Sequence, residues 1–418
     1  MNRENLNLIT YNSKLITDMD AWLGSSYWLS RFLIQRSLGL IYFVAFLVAL
    51  NQFRPLLGEH GLEPVPRFLR AVRFRNAPSI FHWHYSDRFF AAVAALGLVF
   101  ALVATFGLSD VGPLWWSVVV WFLLWALYLS IVNVGQTFYG FGWESILLET
   151  GFLVIWLGPA QVTSPFLVML LLRWLLFRVE FGAGLIKLRG DPCWRDLTCL
   201  YYHYETQPLP NPLSWYAHHL PKGFHRASVL VNHLAQLVAP LGLFAPPPFA
   251  ALAALLMIGT QAWLVITGNY SWLNYVTIIL AFSAFDDATL RSFIPIAMPS
   301  TEPRPWPQEA AIVAVTALVI VLSINPVRNM LSRRQLMNYT FNPFHLVNTY
   351  GAFGSITRER FEIVLEGTTD PVLTWQTQWR EYEFKGKPGD PRRRPPVVAP
   401  YHWRLDWQIW FVAMRPYH

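Results

Sequence analysis

The chain has 418 residues, 54% of them hydrophobic and only 14% charged, with a formal net charge of +7. A soluble domain carries about 25% charged residues, and here the deficit lies in long uncharged runs, which excludes a water-dissolved globule. The excess Lys and Arg flank those runs without any nucleic-acid module beside them, which excludes nucleic acid as a partner.

Apolar segments follow one another at roughly 31–53, 89–107, 114–134, 143–159, 165–188, 228–245, 248–267, 271–285 and 309–325. No Asp, Glu, Lys or Arg occurs in 89–109, 111–143, 150–172, 227–285 or 310–327. A helix needs about 20 apolar residues to cross the hydrocarbon core, so 227–285 has room for two or three crossings. The runs lack the period-two alternation of barrel strands, which leaves helices as the spanning elements. The expected fold is therefore mainly α: a polytopic transmembrane bundle of about nine segments over residues 1–327. The first segment has no small-residue cleavage site and reads as a retained helix. Segments 143–159 and 271–285 are short for a full crossing.

After the first segment come Arg54, Arg67, Arg70, Arg73, Arg75 and Arg88. Within this cluster, residues 67–75 read either as a short headgroup helix with Leu69, Val72 and Phe74 toward lipid, or as a solvated basic loop. Positive-inside counting gives no clean orientation. With a cytoplasmic N-terminus and nine crossings, the tail would face the lumen or periplasm.

The middle of the chain is chemically unusual. Gly142-Trp-Glu-Ser-Ile-Leu-Leu-Glu places Glu144 and Glu149 in or beside an apolar segment, and the next helix carries Arg173, Arg178, Glu180 and Lys187. Arg173, Glu180 and Lys187 are seven apart and share one helical face. Ionised groups at membrane depth pair with one another or line a wet cavity. Glu144 and Glu149 are the expected partners of Arg173, Arg178 and Lys187, either as a structural ion-pair seam or as a polar intramembrane pocket. A desolvated lysine can act as a base, and Lys187 is the candidate, although near a helix end it can simply snorkel.

A polar, aromatic loop follows, with Asp191, Cys193, Trp194, Cys199, His203 and Glu205. Cys193 and Cys199 are six apart: a small disulfide loop in an oxidising compartment, or two free thiols. His203, His218, His219, His225 and His233 fit no metal-ligand spacing. No phosphate loop, dinucleotide fingerprint or hydrolase motif occurs, so neither metal nor cofactor is expected. Sequons stand at Asn269-Tyr-Ser and Asn338-Tyr-Thr.

Composition changes near Pro326. From Arg328 to His418, 21 of 91 residues are charged, as in a soluble domain. Period-two alternation at Phe361–Glu366, Glu381–Lys385 and Trp403–Ile409 predicts strands. Residues 328–418 are therefore expected to form a small antiparallel β domain. Trp375 and Trp379 are either client-binding aromatics or tail core.

Several stretches carry a family resemblance. They include Tyr27-Trp-Leu-Ser-Arg-Phe-Leu, Gly58-Glu-His-Gly-Leu-Glu-Pro, Gly142-Trp-Glu-Ser-Ile-Leu-Leu-Glu-Thr-Gly-Phe and Phe181-Gly-Ala-Gly-Leu-Ile-Lys-Leu-Arg-Gly-Asp-Pro-Cys-Trp. His203-Tyr-Glu-Thr-Gln-Pro-Leu-Pro-Asn-Pro, Asn348-Thr-Tyr-Gly-Ala-Phe-Gly-Ser-Ile-Thr, Trp379-Arg-Glu-Tyr-Glu-Phe-Lys-Gly and Leu405-Asp-Trp-Gln continue the set. With these the chain resembles the lipase maturation factor family over nearly its whole length. The resemblance implies a multi-pass protein of the endoplasmic reticulum membrane, or of the cytoplasmic membrane if bacterial. It also implies a secreted client such as a dimeric lipase, met through the C-terminal domain, with membrane lipid as the other partner. Family members usually continue past the Leu405-Asp-Trp-Gln stretch. A more distant similarity, through Gly182-Ala-Gly-Leu-Ile-Lys-Leu, Asp191 and Trp194, reaches the membrane region of vitamin K-dependent carboxylases. That similarity implies an alternative: a membrane enzyme with Lys187 as base.

Overall fold

The computed structural model describes residues 26–414. The chain runs through α1 (Trp28–Leu57), α2 (Val65–Ala71), α3 (Asp87–Thr105), α4 (Leu114–Val134), α5 (Gly142–Val154) and α6 (Phe166–Arg189). Loop helices α7 (Leu200–Thr206) and α8 (Ser214–His218) lead to α9 (Lys222–His233), a π-helical turn (Leu234–Val238) and α10 (Ala239–Gly242). Then come α11 (Phe249–Thr267), α12 (Leu273–Ala281), α13 (Asp287–Arg291), α14 (Trp306–Leu322) and α15 (Ile324–Leu331). The tail holds β1 (Leu365–Gly367), β2 (Arg380–Tyr382) and α16 (Arg404–Ala413).

Among the described residues five helices are long and apolar enough to cross a membrane: α1, α3, α4, α11 and the continuous α14–α15. The protein is thus a multi-pass membrane protein. Nine full crossings are not reached by that measure. Segment 143–159 yields the 13-residue α5 and 271–285 the nine-residue α12. Segment 228–245 is interrupted by the π turn, just ahead of Pro240, which has no amide hydrogen to continue a regular ladder. Segment 165–188 forms the 24-residue α6, whose ionic residues set it apart from the five apolar spans.

The helix ends are fixed by specific groups. Ser86 caps α3 by accepting a hydrogen bond from the Phe89 amide at 3.1 Å. The first turn of α1 is capped from far along the chain. The Asp287 carboxylate accepts from the amides of Trp28 at 3.0 Å and Leu29 at 2.7 Å. A carboxylate at a helix N-terminus satisfies orphan donors and opposes the helix dipole. Arg31, one turn on, donates to the Ala160 and Val162 carbonyls. α1 packs along α3, and its other side meets α12. Phe53 stacks on Phe90 at 4.4 Å between α1 and α3, and Tyr128 of α4 stands edge-on to Tyr42 and Phe46 of α1.

Two expectations for the chain's polar parts are corrected. Of residues 67–75 only those up to Ala71 are helical, in α2 (Val65–Ala71); Leu69 packs partly on the protein core, Val72 lies past the helix end, and Phe74 is exposed. In the tail, the sheet is a single antiparallel pair of three-residue strands, with Leu365 opposite Tyr382. The third expected strand, at Trp403–Ile409, lies in helix α16 instead. The alternation there misleads because two of its charged members, Arg404 and Asp406, are buried. Arg404, Asp406 and Trp407 all turn inward, and Asp406 accepts from the amides of Gly386 at 2.5 Å and Lys387 at 3.0 Å.

Candidate functional site

α6 crosses the middle of the protein with Arg173, Arg178, Glu180 and Lys187 all buried. The expected partners separate into three groups.

In the first, Glu144 pairs with Arg404 of the tail, not with α6. Arg404 Nη1 lies 2.7 Å from Glu144 Oε1 and donates to the Phe138 carbonyl at 2.8 Å, and its guanidinium stacks 3.4 Å above the Tyr139 ring. The Tyr128 hydroxyl donates to the other Glu144 oxygen. His402 also approaches Glu144, at 3.9 Å. Its Nδ1 accepts from the Trp143 indole at 3.4 Å, and burial together with the Arg404 charge holds this imidazole well below its usual pKa. As the acceptor from the Trp143 indole, Nδ1 of His402 offers no proton to Glu144, and their approach is not a hydrogen-bonded ion pair.

In the second, Glu149 pairs with Arg178 as expected. Asn348 and Tyr350, on the segment after α15, complete the carboxylate's shell. The Asn348 amide and side chain each donate at 3.1 Å and the Tyr350 hydroxyl at 2.8 Å. Arg173 has no carboxylate partner among the described residues. It donates to the Ser283 carbonyl at 2.9 Å and the Leu243 carbonyl at 3.3 Å, and lies over the Tyr27 ring.

In the third, Glu180 and Lys187 are joined through an amide. Gln236 accepts from Lys187 Nζ at 2.7 Å and donates to Glu180 at 3.1 Å. Gln261 donates to the other Glu180 oxygen at 2.8 Å, and Asn232 accepts from Lys187 at 3.2 Å. The Lys187 ammonium sits 4.8 Å from the Trp194 ring centre, a cation–π contact. The π turn delivers Gln236 to this position. Gly184 permits it, since a β-carbon there would come within 2.7 Å of Leu237 and 3.0 Å of Gln236. Gln236, Gln261, Tyr128 and Arg404 were not among the residues singled out in the sequence. Two buried amides inside the charge-free run 227–285 were the available signal.

Glu180, Lys187, Gln236 and Gln261 form the polar side of a cavity of about 620 Å³. Its other walls are aromatic, from Phe141, Trp143, Tyr350, Phe353 and the α16 residues Trp407 and Trp410. Glu144, Glu149, Arg173 and Arg178 do not line it. Thus the first two groups are closed seams, and the third faces open space. Among the described residues no cluster of His, Cys, Asp or Glu could hold a metal.

The loop residues serve the wall behind Lys187. Cys193 and Cys199 are disulfide-bonded, which resolves the two alternatives left open by their spacing. Asp191 caps the following turn by accepting from the Cys193 amide at 2.9 Å and pairs with Arg358 at 3.4 Å. Trp194 donates to the Phe353 carbonyl at 2.8 Å. His203 is buried. Tyr270 donates to Gln207 Oε1 at 2.6 Å, which leaves His203 Nε2–H as the donor in the 2.9 Å bond to the Tyr270 oxygen. Burial, and then the Lys187 charge, push His203 down to about 4. Glu205 is exposed, 3.6 Å from His218. The sequon residue Asn269 is buried, donating to the Pro210 and Pro396 carbonyls and accepting from the amides of Val398 and Ala399. Trp375 and Trp379 are exposed at 91% and 49%, so the tail-core reading is set aside.

The lipase maturation factor transmembrane domain model matches residues 29–292, and the model of the C-terminal domain of that family matches residues 346–418. The chain is 43% identical to lipase maturation factor 1 of Bos taurus, over 94% of this chain and 77% of that protein. Against lipase maturation factor 1 of Homo sapiens the identity is 42%, over 94% and 75%. Lipase maturation factor 2 of Homo sapiens is 29% identical, over 93% and 72%. No solved structure matches the chain. The membrane helices and both matched regions lead to one conclusion: this chain belongs to the lipase maturation factor family.

Proposed function

We propose that the protein assists the folding, assembly or export of secreted proteins, lipases among them, from the endoplasmic reticulum membrane or, in a bacterium, from the cytoplasmic membrane. The observation that carries this reading is the 43% identity to a lipase maturation factor 1 over 94% of the chain. The tail supports it as the client-contacting part. Val372, Leu373, Trp375 and Tyr382 are each at least 65% exposed within one short excursion of the chain. Exposed apolar groups gathered in this way mark interaction surfaces.

Co-expression with a secreted dimeric lipase, in cells lacking their own family member, tests the proposal. Active lipase in the medium should rise with this chain and fall back with the Trp375→Ala/Trp379→Ala variant at unchanged protein level. Both side chains are exposed, so stability should move by less than about 0.5 kcal/mol. Lipase output indifferent to the presence of the chain would refute the reading.

A further inference from the structure

The cavity beside α6 has an unusual charge pattern. Its charged lining among the described residues comprises four cations, Lys187, Arg189, Arg333 and Arg334, against one carboxylate, Glu180. The carboxylate is already served by two amide donors, and Lys187 by two amide acceptors. Their polar demand is met within the protein. The three arginines lie at the exposed rim, at the end of α6 and just beyond α15. Arg189 donates to Gln335 at 2.7 Å. The guanidinium groups of Arg333 and Arg334 have no hydrogen-bond or ionic partner among the described residues. A free pair of guanidinium groups over an aromatic cavity matches a ligand with an anionic head and an apolar body.

Size narrows the class further. At about 30 Å³ for each water-sized group, 620 Å³ accommodates about 20 such groups. That is room enough for a hydrocarbon chain. We propose that this cavity binds a single-chain anionic lipid, the head held at Arg333 and Arg334 and the chain lying against Trp143, Trp407 and Trp410. Such a ligand can enter from the bilayer surface, because the rim lies at the end of α6, beyond its apolar stretch. The site is independent of the client-binding reading of the tail.

The full chain in nanodiscs of zwitterionic phosphatidylcholine provides the test, read by native mass spectrometry and tryptophan fluorescence. The probes are oleate, oleyl alcohol (the same chain without charge) and inorganic phosphate (charge without chain). Oleate should bind one to one, oleyl alcohol at least about tenfold more weakly, and phosphate should not displace oleate. Arg333→Gln/Arg334→Gln should weaken oleate by about tenfold or more, the worth of a charge-assisted contact, with an unchanged melting point because both side chains are exposed. Ala183→Phe, which fills the cavity from α6, should abolish oleate binding. If that variant does not fold, the arginine pair alone decides. Equal affinity for oleate and oleyl alcohol, displacement by phosphate, or full affinity in Arg333→Gln/Arg334→Gln would overturn the proposal.

Discussion

Replacing Arg404 by methionine strands Glu144. Both side chains of the pair are about 1% exposed, and among the described residues the side-chain hydrogen bond left to the carboxylate is that from the Tyr128 hydroxyl. Removing one member of a buried ion pair costs about 3–5 kcal/mol, because the surviving charge cannot reach water. Replacing both members by neutral groups is far less costly. In Glu144→Gln/Arg404→Met the amide oxygen still accepts from Tyr128, and the loss should be within about 2 kcal/mol of the parent. The lost Phe138 hydrogen bond and Tyr139 stacking are common to the Arg404→Met single and double variants, so a double-mutant cycle cancels them. Denaturation of detergent-solubilised protein, followed by tryptophan fluorescence, should give a coupling of at least ~2 kcal/mol. Additive single losses would refute the placement of the tail helix against Glu144.

Cys193→Ser/Cys199→Ser opens a six-residue loop, which should lower stability by about 2 kcal/mol on chain-entropy grounds. A reducing agent should shift the melting of the parent and leave that variant unmoved. Acid should also destabilise the protein through His203. Its folded pKa is lowered from 6.5 to about 4, so the unfolded chain binds the proton first. The contribution, on the order of 3 kcal/mol, is complete above pH 6.5 and disappears as pH falls through 4. His345, lowered similarly by burial, adds to the effect. The stability of His203→Asn should fall less steeply over that window, and an identical slope would show that His203 is not buried as a neutral base.

The membrane character was legible because it depends on composition over long windows. The absence of charge from 227–285 needs no knowledge of contacts. The Arg178–Glu149 pair was legible as well, since an acid and a base on successive apolar helices have few other partners. Arg404 was not. It lies 260 residues from Glu144, in a stretch whose alternation mimics a strand, and only packing shows that the polar positions face inward. The joining of Lys187 and Glu180 was hidden for a different reason. Their one-face spacing was visible, but the amide between them comes from a π turn, and such a turn leaves no periodic signature.

The cap on α1 bears on the order of events during synthesis. The acid that accepts from the Leu29 amide is made 258 residues after it. At about 5–20 residues per second of translation, that interval is on the order of tens of seconds. Until then the leading amides of the first helix lack their folded-state acceptor. Its final cap is a late event, reached only when Asp287 at the start of α13 arrives.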